Sequence, residues 1–126
     1  MSAHVAPEKP PPLSRNKPMR QVAALCLREG EGGRPEILLI SSLHTGRWIL
    51  PKGWPIRGHT LAESAQTEAW EEAGVRGVPA HSPLGQYSYR KITARGQAKL
   101  CTVQVFPIQV DSLADRYPEA GKRRRQ

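Results

Sequence analysis

The feature that most constrains this 126-residue chain is a predicted helix. Local sequence signals indicate both where this helix begins and where it ends. Thr60 and Glu63 have the spacing of a capping box, in which the hydroxyl and the carboxylate each satisfy a backbone amide of the first turn. Gly74 stands where helices end in the left-handed conformation. Small side chains recur on one face between these ends: Ala62, Ala65, Ala69 and Ala73. We therefore predict a helix that lies close against a sheet.

The same helix carries a face of like charge. Glu68, Glu71 and Glu72 stand at positions i, i+3 and i+4, so that their carboxylates lie within one turn and repel one another. A divalent cation would relieve this repulsion, and sites made only of oxygen ligands suit Mg²⁺ or Mn²⁺. The spacing indicates metal-assisted chemistry on a phosphate, and the alternative is a solvent-exposed acidic helix end without a ligand.

Apolar runs on both sides of the helix predict strands. The runs are residues 21–28, 36–42, 47–50, 84–93 and 97–110. The second run is expected to be well buried, Trp48 in the third is expected in the core, and residues 94–96 are expected to form a hairpin turn. Strands, one helix and further strands in this order predict an α+β fold, a mixed sheet with a helix packed on it, rather than a doubly wound fold.

The composition of the N-terminal residues and the net charge limit the class of protein to which this chain can belong. Residues 1–18 contain five prolines, which predicts a disordered or extended arm ahead of a domain at residues 19–126. The net charge is +8, and no acidic residue lies between Glu72 and Asp111. A basic region opposite a carboxylate cluster suits an anionic ligand, although a solvated basic surface has the same composition.

Two further observations concern the compartment. No apolar run has the length of a membrane span, and residues 1–20 lack the apolar core of a signal peptide. Cys26 and Cys101 are isolated thiols within apolar runs, where buried reduced cysteines are expected and a disulfide is the alternative. We expect a cytoplasmic protein without a membrane partner.

Residues 53–75 resemble the Nudix box, G-x5-E-x7-R-E-U-x-E-E-x-G-U, where U is an aliphatic residue. Gly53 is the first glycine, and residues 68–75 fill the second half of the pattern at the required spacing. Two positions depart from it, since His59 stands in place of the first glutamate and Thr67 in place of the arginine. The flanking runs VAALCLR, ILLISS and GRWILPKG resemble the diphosphoinositol polyphosphate phosphohydrolase and diadenosine polyphosphate hydrolase branch of that superfamily.

The resemblance implies a Nudix-like mixed β-sheet with a loop-helix-loop catalytic helix, in which the C-terminal helix of an α/β/α sandwich is lacking or shortened. It implies Glu68 and Glu72 as ligands of Mg²⁺ or Mn²⁺, with the Gly53 carbonyl as a further ligand. Glu71, as general base or water-orienting group, and Glu68 are the implied catalytic carboxylates. A threonine at position 67 cannot supply the fork of an arginine. The other departure, the histidine before the helix, is interpreted as a loop residue, with a metal ligand and a pH-sensitive partner as alternatives.

The basic and polar residues around this segment are candidates for contacts with an anionic substrate: Arg20, Ser41, Ser42, Arg47, Lys52, Trp54 and Arg90. Glu119 is the candidate for an additional acid from a late loop. We predict a divalent-metal-dependent hydrolase that cleaves phosphoanhydride bonds in a diadenosine polyphosphate, a nucleoside diphosphate derivative or an inositol pyrophosphate. The alternative is a catalytically weak Nudix-like module that binds nucleic acid or another polyanion through its basic ends. A homodimer is a further hypothesis, because one sheet face would otherwise be wet.

Overall fold

The computed structural model describes residues 19–126, and the proline-rich arm predicted at residues 1–18 lies outside the described residues. The elements follow the chain in this order: β1 (Met19–Glu29), a 3₁₀ turn (Glu31–Gly33), β2 (Pro35–Ile37), β3 (Ile40–Ser41), β4 (Trp48–Ile49), β5 (Lys52–Gly53), α1 (Leu61–Ala73), β6 (Val75–Pro79), β7 (Gly85–Ile92) and β8 (Ala98–Leu113). A mixed sheet with one α-helix in the described part of the chain confirms the predicted α+β fold.

The long strand β8 organises the sheet. It runs parallel to β1, with register from Met19 opposite Cys101 to Leu27 opposite Gln109. Its other edge is shared by β7 along the first half and β6 along the second half, both antiparallel. β2 and β5 pair antiparallel with β1, while β3 and β4 form a separate two-stranded ribbon. The pairing of β5 with β1 holds the start of the glycine loop, which runs from Gly53 to the first residue of α1.

The helix α1 forms with the predicted signals at both ends. Thr60 Oγ1 accepts the Glu63 N–H at 3.0 Å, and Glu63 Oε1 accepts the Thr60 N–H at 2.7 Å. Gly74 ends the helix with φ of 68°. The four alanines of the predicted stripe are buried and pack in a core cluster with residues of β1 and β8. Because these side chains are small, the helix lies close to the sheet and holds its glutamate face at the margin of β5.

The apolar run at residues 36–42 differs from the prediction of a single well-buried strand. β2 is exposed and β3 is buried, with Leu38 and Leu39 between them. The Leu38 N–H bonds the Cys26 carbonyl of β1, whereas the Leu39 N–H bonds the Gln126 carbonyl. The run is divided because it changes partner, from β1 to the C-terminal segment and β4.

Trp48 corrects a second expectation. It was predicted in the core, yet it is 37% exposed and lies beneath the Arg124 guanidinium, 5.2 Å from the ring centroid. β4 is only two residues long and lies outside the main sheet, so it has no buried face large enough for an indole.

The cysteines are free and buried, as predicted. Burial raises the pKa of the Cys26 thiol to about 12, so this thiol is an inert part of the core. Within residues 19–126, no helix has both the length and the apolar character needed to cross a membrane.

An open apolar groove borders the sheet near Cys26. Its volume is about 470 Å³, and its apolar lining includes Ile37, Leu38, Val110 and Leu113. Ile37 is 48% exposed. Exposed apolar surface of the kind that motivated the dimer hypothesis is therefore present at this edge.

Candidate active site

The strand β5 brings the glycine loop onto the carboxylate face of α1. The backbone of Gly53 lies so close to the Glu68 carboxylate that a side chain on residue 53 would collide with it. One residue earlier, the Lys52 N–H donates to Glu72 Oε1 at 3.1 Å. The three residues expected to hold a metal ion, Gly53, Glu68 and Glu72, are therefore neighbours.

The loop between β5 and α1 is tied to the helix by one buried serine. Ser64 Oγ accepts the Ile56 N–H at 2.9 Å and donates to the Thr60 carbonyl at 3.0 Å. His59 is exposed, and its Nδ1 lies 3.4 Å from the Arg57 carbonyl oxygen. This position favours the interpretation of His59 as a loop residue.

Glu68 and Glu72 carry charge that their surroundings compensate poorly. Burial is the main cause that raises the pKa of Glu68 to about 7, and the charges of Glu72, Glu71 and Glu119 add to it. Burial likewise raises the pKa of Glu72 to about 7, against the lowering effects of the Lys52 N–H and Arg123. Glu68 Oε2 is buried and has no hydrogen-bond partner. A cation at this point would supply both the partner and the countercharge.

The donor set fits Mg²⁺ or Mn²⁺ once a backbone oxygen is counted. Among residues 19–126, no three His, Cys, Asp or Glu side chains converge into a metal site by themselves. The expected set needs only two carboxylates and the Gly53 carbonyl. Mg²⁺ is commonly held in this way, by one or two carboxylates with the remaining positions filled by water and substrate phosphates.

The C-terminal segment adds a carboxylate and an arginine to this cluster. The Glu119 N–H donates to the Glu71 carbonyl at 2.9 Å, which holds the segment against the end of α1. Arg123 Nε donates to Glu119 Oε1 at 2.7 Å, and Arg123 Nη2 lies 3.9 Å from Glu72 Oε2. The sequence ranked Glu119 first among the late acids. Arg123 was assigned only to a basic run, and its i,i+4 spacing from Glu119 is the one local signal that could have distinguished it.

The next two arginines of the basic run also contact the protein. Arg125 Nη1 donates to the Ala73 carbonyl at 2.9 Å and to the Ala114 carbonyl at 2.7 Å. Arg124 covers the Trp48 ring. Arg123 and Arg125 are therefore partly buried, whereas Lys122 and Arg124 remain exposed. The binding of a polyanion by the C-terminal basic run stays a prediction.

Two of the predicted substrate contacts border the carboxylate cluster. Lys52 Nζ lies 3.3 Å from Tyr89 Oη and 3.4 Å from Gln21 Oε1, and burial is the main cause that lowers the pKa of Lys52. Trp54 is 46% exposed in the glycine loop, and Lys91 Nζ lies 5.8 Å from its ring centroid. The glycine loop therefore exposes an aromatic side chain beside two partly buried lysines, Lys52 in β5 and Lys91 in β7.

The other candidates lie in different surroundings. Ser41 is buried, and its hydroxyl accepts the Arg124 N–H at 2.9 Å, so that it faces the C-terminal segment. Ser42 is partly buried at the start of the turn before β4. The three arginines predicted to meet substrate are exposed: Arg20, Arg47 and Arg90.

The sequence of this chain is similar to those of known proteins. The family model described as NUDIX domain matches residues 19–115. Nudix hydrolase 13, mitochondrial, from Arabidopsis thaliana is 31% identical over 96 residues, which cover 72% of this chain and 48% of that protein. The chain spans about half the length of the curated relatives it matches.

Solved structures share the fold. The MutT protein from Methanosarcina mazei Go1 is 28% identical, with a TM-score of 0.57 and coverage of 82% of this chain and 75% of that chain. The C. elegans Ap4A hydrolase is 16% identical, with a TM-score of 0.56 and coverage of 86% and 80%. The second likeness concerns the fold alone.

Proposed function

Since this chain belongs to the Nudix family, we propose that it is a divalent-metal-dependent hydrolase that cleaves phosphoanhydride bonds. The substrate classes are, in order, diadenosine polyphosphates, nucleoside diphosphate derivatives and inositol pyrophosphates. The observation that carries the proposal is the buried Glu68 Oε2, which lacks a hydrogen-bond partner beside Gly53 and Glu72. A buried anionic oxygen without a partner is unfavourable in a folded protein unless a ligand completes it.

Each residue of the site has a distinct role in the proposed hydrolysis. Glu68, Glu72 and the Gly53 carbonyl would hold Mg²⁺ or Mn²⁺, which would neutralise charge on the bridging phosphate oxygens and acidify an attacking water. Glu71 accepts a proton from the attacking water as the water oxygen bonds to phosphorus. The bridging P–O bond breaks, and its electron pair leaves with the second phosphate group. Lys52, held beside Tyr89, offsets the negative charge of the substrate.

The order of substrate classes rests on the surface of the glycine loop. Trp54 is exposed next to Gly53 and offers a face on which a base can stack. The resemblance to the inositol branch implies Ser41 as a substrate contact, but its hydroxyl is engaged by the Arg124 N–H. A diadenosine polyphosphate is therefore the first substrate to test.

A reducing compartment, the cytoplasm, is part of the proposal. Two free thiols in the core support it. Nudix hydrolase 13 of Arabidopsis thaliana is named as a mitochondrial protein. A fluorescent fusion of this chain, imaged with markers for both compartments, distinguishes the two locations.

The test is a hydrolysis panel across the three substrate classes, with Mg²⁺, Mn²⁺ or EDTA. Glu71→Gln is expected to lower kcat by at least about 100-fold, because it removes the proton acceptor. Glu63→Gln is the matched control, since it makes the same change on the same helix while glutamine preserves the capping box. Activity that survives both EDTA and Glu71→Gln would refute the proposed mechanism.

A further inference from the structure

The helix α1 concentrates acidic groups without a cation of its own. Its sequence, LAESAQTEAWEEA, contains no lysine or arginine. Thr67 stands where a guanidinium could have paired with the neighbouring glutamates, but its hydroxyl donates to the Glu63 carbonyl at 3.1 Å instead. The orientation of the carboxylates must therefore be set by groups outside the helix.

One guanidinium meets this need. Arg123 Nε donates to Glu119 Oε1 at 2.7 Å, and Arg123 Nη2 lies 3.9 Å from Glu72 Oε2. The third nitrogen, Nη1, donates to the Ser41 carbonyl at 3.1 Å. This additional hydrogen bond restricts rotation of the guanidinium plane. The Arg123 side chain is only 11% exposed, which reduces the screening of these charges by water.

The alternative cation near the cluster is directed elsewhere. Lys52 contributes its backbone N–H to Glu72, while its ammonium group lies beside Gln21 and Tyr89. A lysine is also a point charge, whereas the planar fork of an arginine can orient two carboxylates and a carbonyl at once. Among the described residues, Arg123 is the only basic side chain that forms ion pairs with both Glu72 and Glu119.

We propose that Arg123 is the positioning residue of the carboxylates that would hold the metal ion. It supplies from the C-terminal segment the guanidinium that α1 lacks at position 67. It holds the carboxylates of Glu72 and Glu119 close enough to Glu68 for their charges to act on it. This inference deepens the proposed function and rests on it. Partners that orient metal-binding groups from outside typically change metal affinity by about 10- to 100-fold when they are removed.

The test measures Mn²⁺ binding to the full chain without substrate, from the electron paramagnetic resonance signal of free Mn²⁺. Arg123→Ala is expected to weaken Mn²⁺ affinity by about tenfold or more. Arg123→Lys is expected to be intermediate, since the ammonium keeps the charge but loses the fork. Arg124→Ala is the matched control because it removes the same charge from the adjacent residue, whose side chain contacts Trp48. Its affinity is expected to stay within about twofold of the original chain.

A second readout separates positioning from folding. Thermal unfolding in EDTA reports whether each variant is folded, and Arg123→Lys decides the question if Arg123→Ala does not fold. The Mg²⁺ concentration that gives half-maximal hydrolysis should rise by the same factor as the Mn²⁺ dissociation constant, with the KM for the nucleotide unchanged.

The outcomes are distinguishable. Unchanged or tighter Mn²⁺ binding in the folded Arg123 variants would overturn the inference, and tighter binding would show that Arg123 competes with the metal. If the original chain binds Mn²⁺ and hydrolyses its substrate while those variants match it, the inference fails and the proposed function stands. If the original chain neither binds Mn²⁺ nor hydrolyses any of the panel, both fail.

Discussion

Glu68→Gln is expected to stabilise the metal-free protein and to abolish its stabilisation by Mg²⁺. The pKa of Glu68 is raised from 4.5 to about 7, mainly by burial and then by neighbouring carboxylates. At about 1.4 kcal/mol for each pKa unit, the free-energy penalty of ionising Glu68 in the folded state has a ceiling of about 3 kcal/mol. Because the side chain is partly exposed, water screens much of this, and we expect about 1 kcal/mol. For a domain of this size, that raises Tm by about 4 °C.

The assay is thermal unfolding at about pH 8, where both carboxylates are ionised, in EDTA and in saturating MgCl₂. The original chain should gain stability with Mg²⁺ because the ion binds only the folded state, by about 2.7 kcal/mol at 100 times its dissociation constant. Glu68→Gln should have the higher Tm in EDTA and gain almost nothing from Mg²⁺, while Glu63→Gln should behave as the original chain. A lower Tm of Glu68→Gln in EDTA, or a full response to Mg²⁺, would refute the reasoning.

Three other predictions follow from the same structure. In EDTA, the protein should lose stability as the pH rises from 4.5 to about 7, because the raised pKa values of Glu68 and Glu72 mean that the folded state binds protons more tightly than the unfolded state in this window. Denaturation at several pH values with and without Mg²⁺ checks this, and a stability that rises over the window would contradict it. Gly53→Ala should displace the flexible Glu68 carboxylate and weaken Mn²⁺ affinity with little change in Tm; unaltered affinity by isothermal titration would count against it. Thr60→Ala should lower the free energy of unfolding by about 1 kcal/mol, whereas Thr60→Ser should retain most of it in urea denaturation.

The helix was predicted closely because its signals are local. The capping box joins residues three positions apart, and Gly74 ends the helix through its own backbone conformation. The β7–β8 hairpin is likewise local, and its turn is closed by the Thr93 N–H bonding the Gln97 carbonyl. Each of these features depends on residues that are neighbours in the sequence.

Other features depended on distant partners and could not be read from the sequence. β5 is two residues long, and its pairing with β1 rather than any strand pattern defines it. The division of residues 36–42 follows from hydrogen bonds with the C-terminal segment. The exposure of Trp48 follows from the position of β4 outside the main sheet, where it pairs with β3. The role of Arg123 also depended on distant partners, because Glu72 and Ser41 are far from it in the sequence and contact it only in the folded chain.

A divalent metal ion at the junction of β5 and α1 is central to the proposed function. The most direct measurement is an anomalous difference map from crystals of the chain soaked in Mn²⁺. We predict one strong peak in contact with the Glu68 and Glu72 carboxylates and the Gly53 carbonyl oxygen. A peak elsewhere, or no peak there at a Mn²⁺ concentration that saturates hydrolysis, would contradict the account.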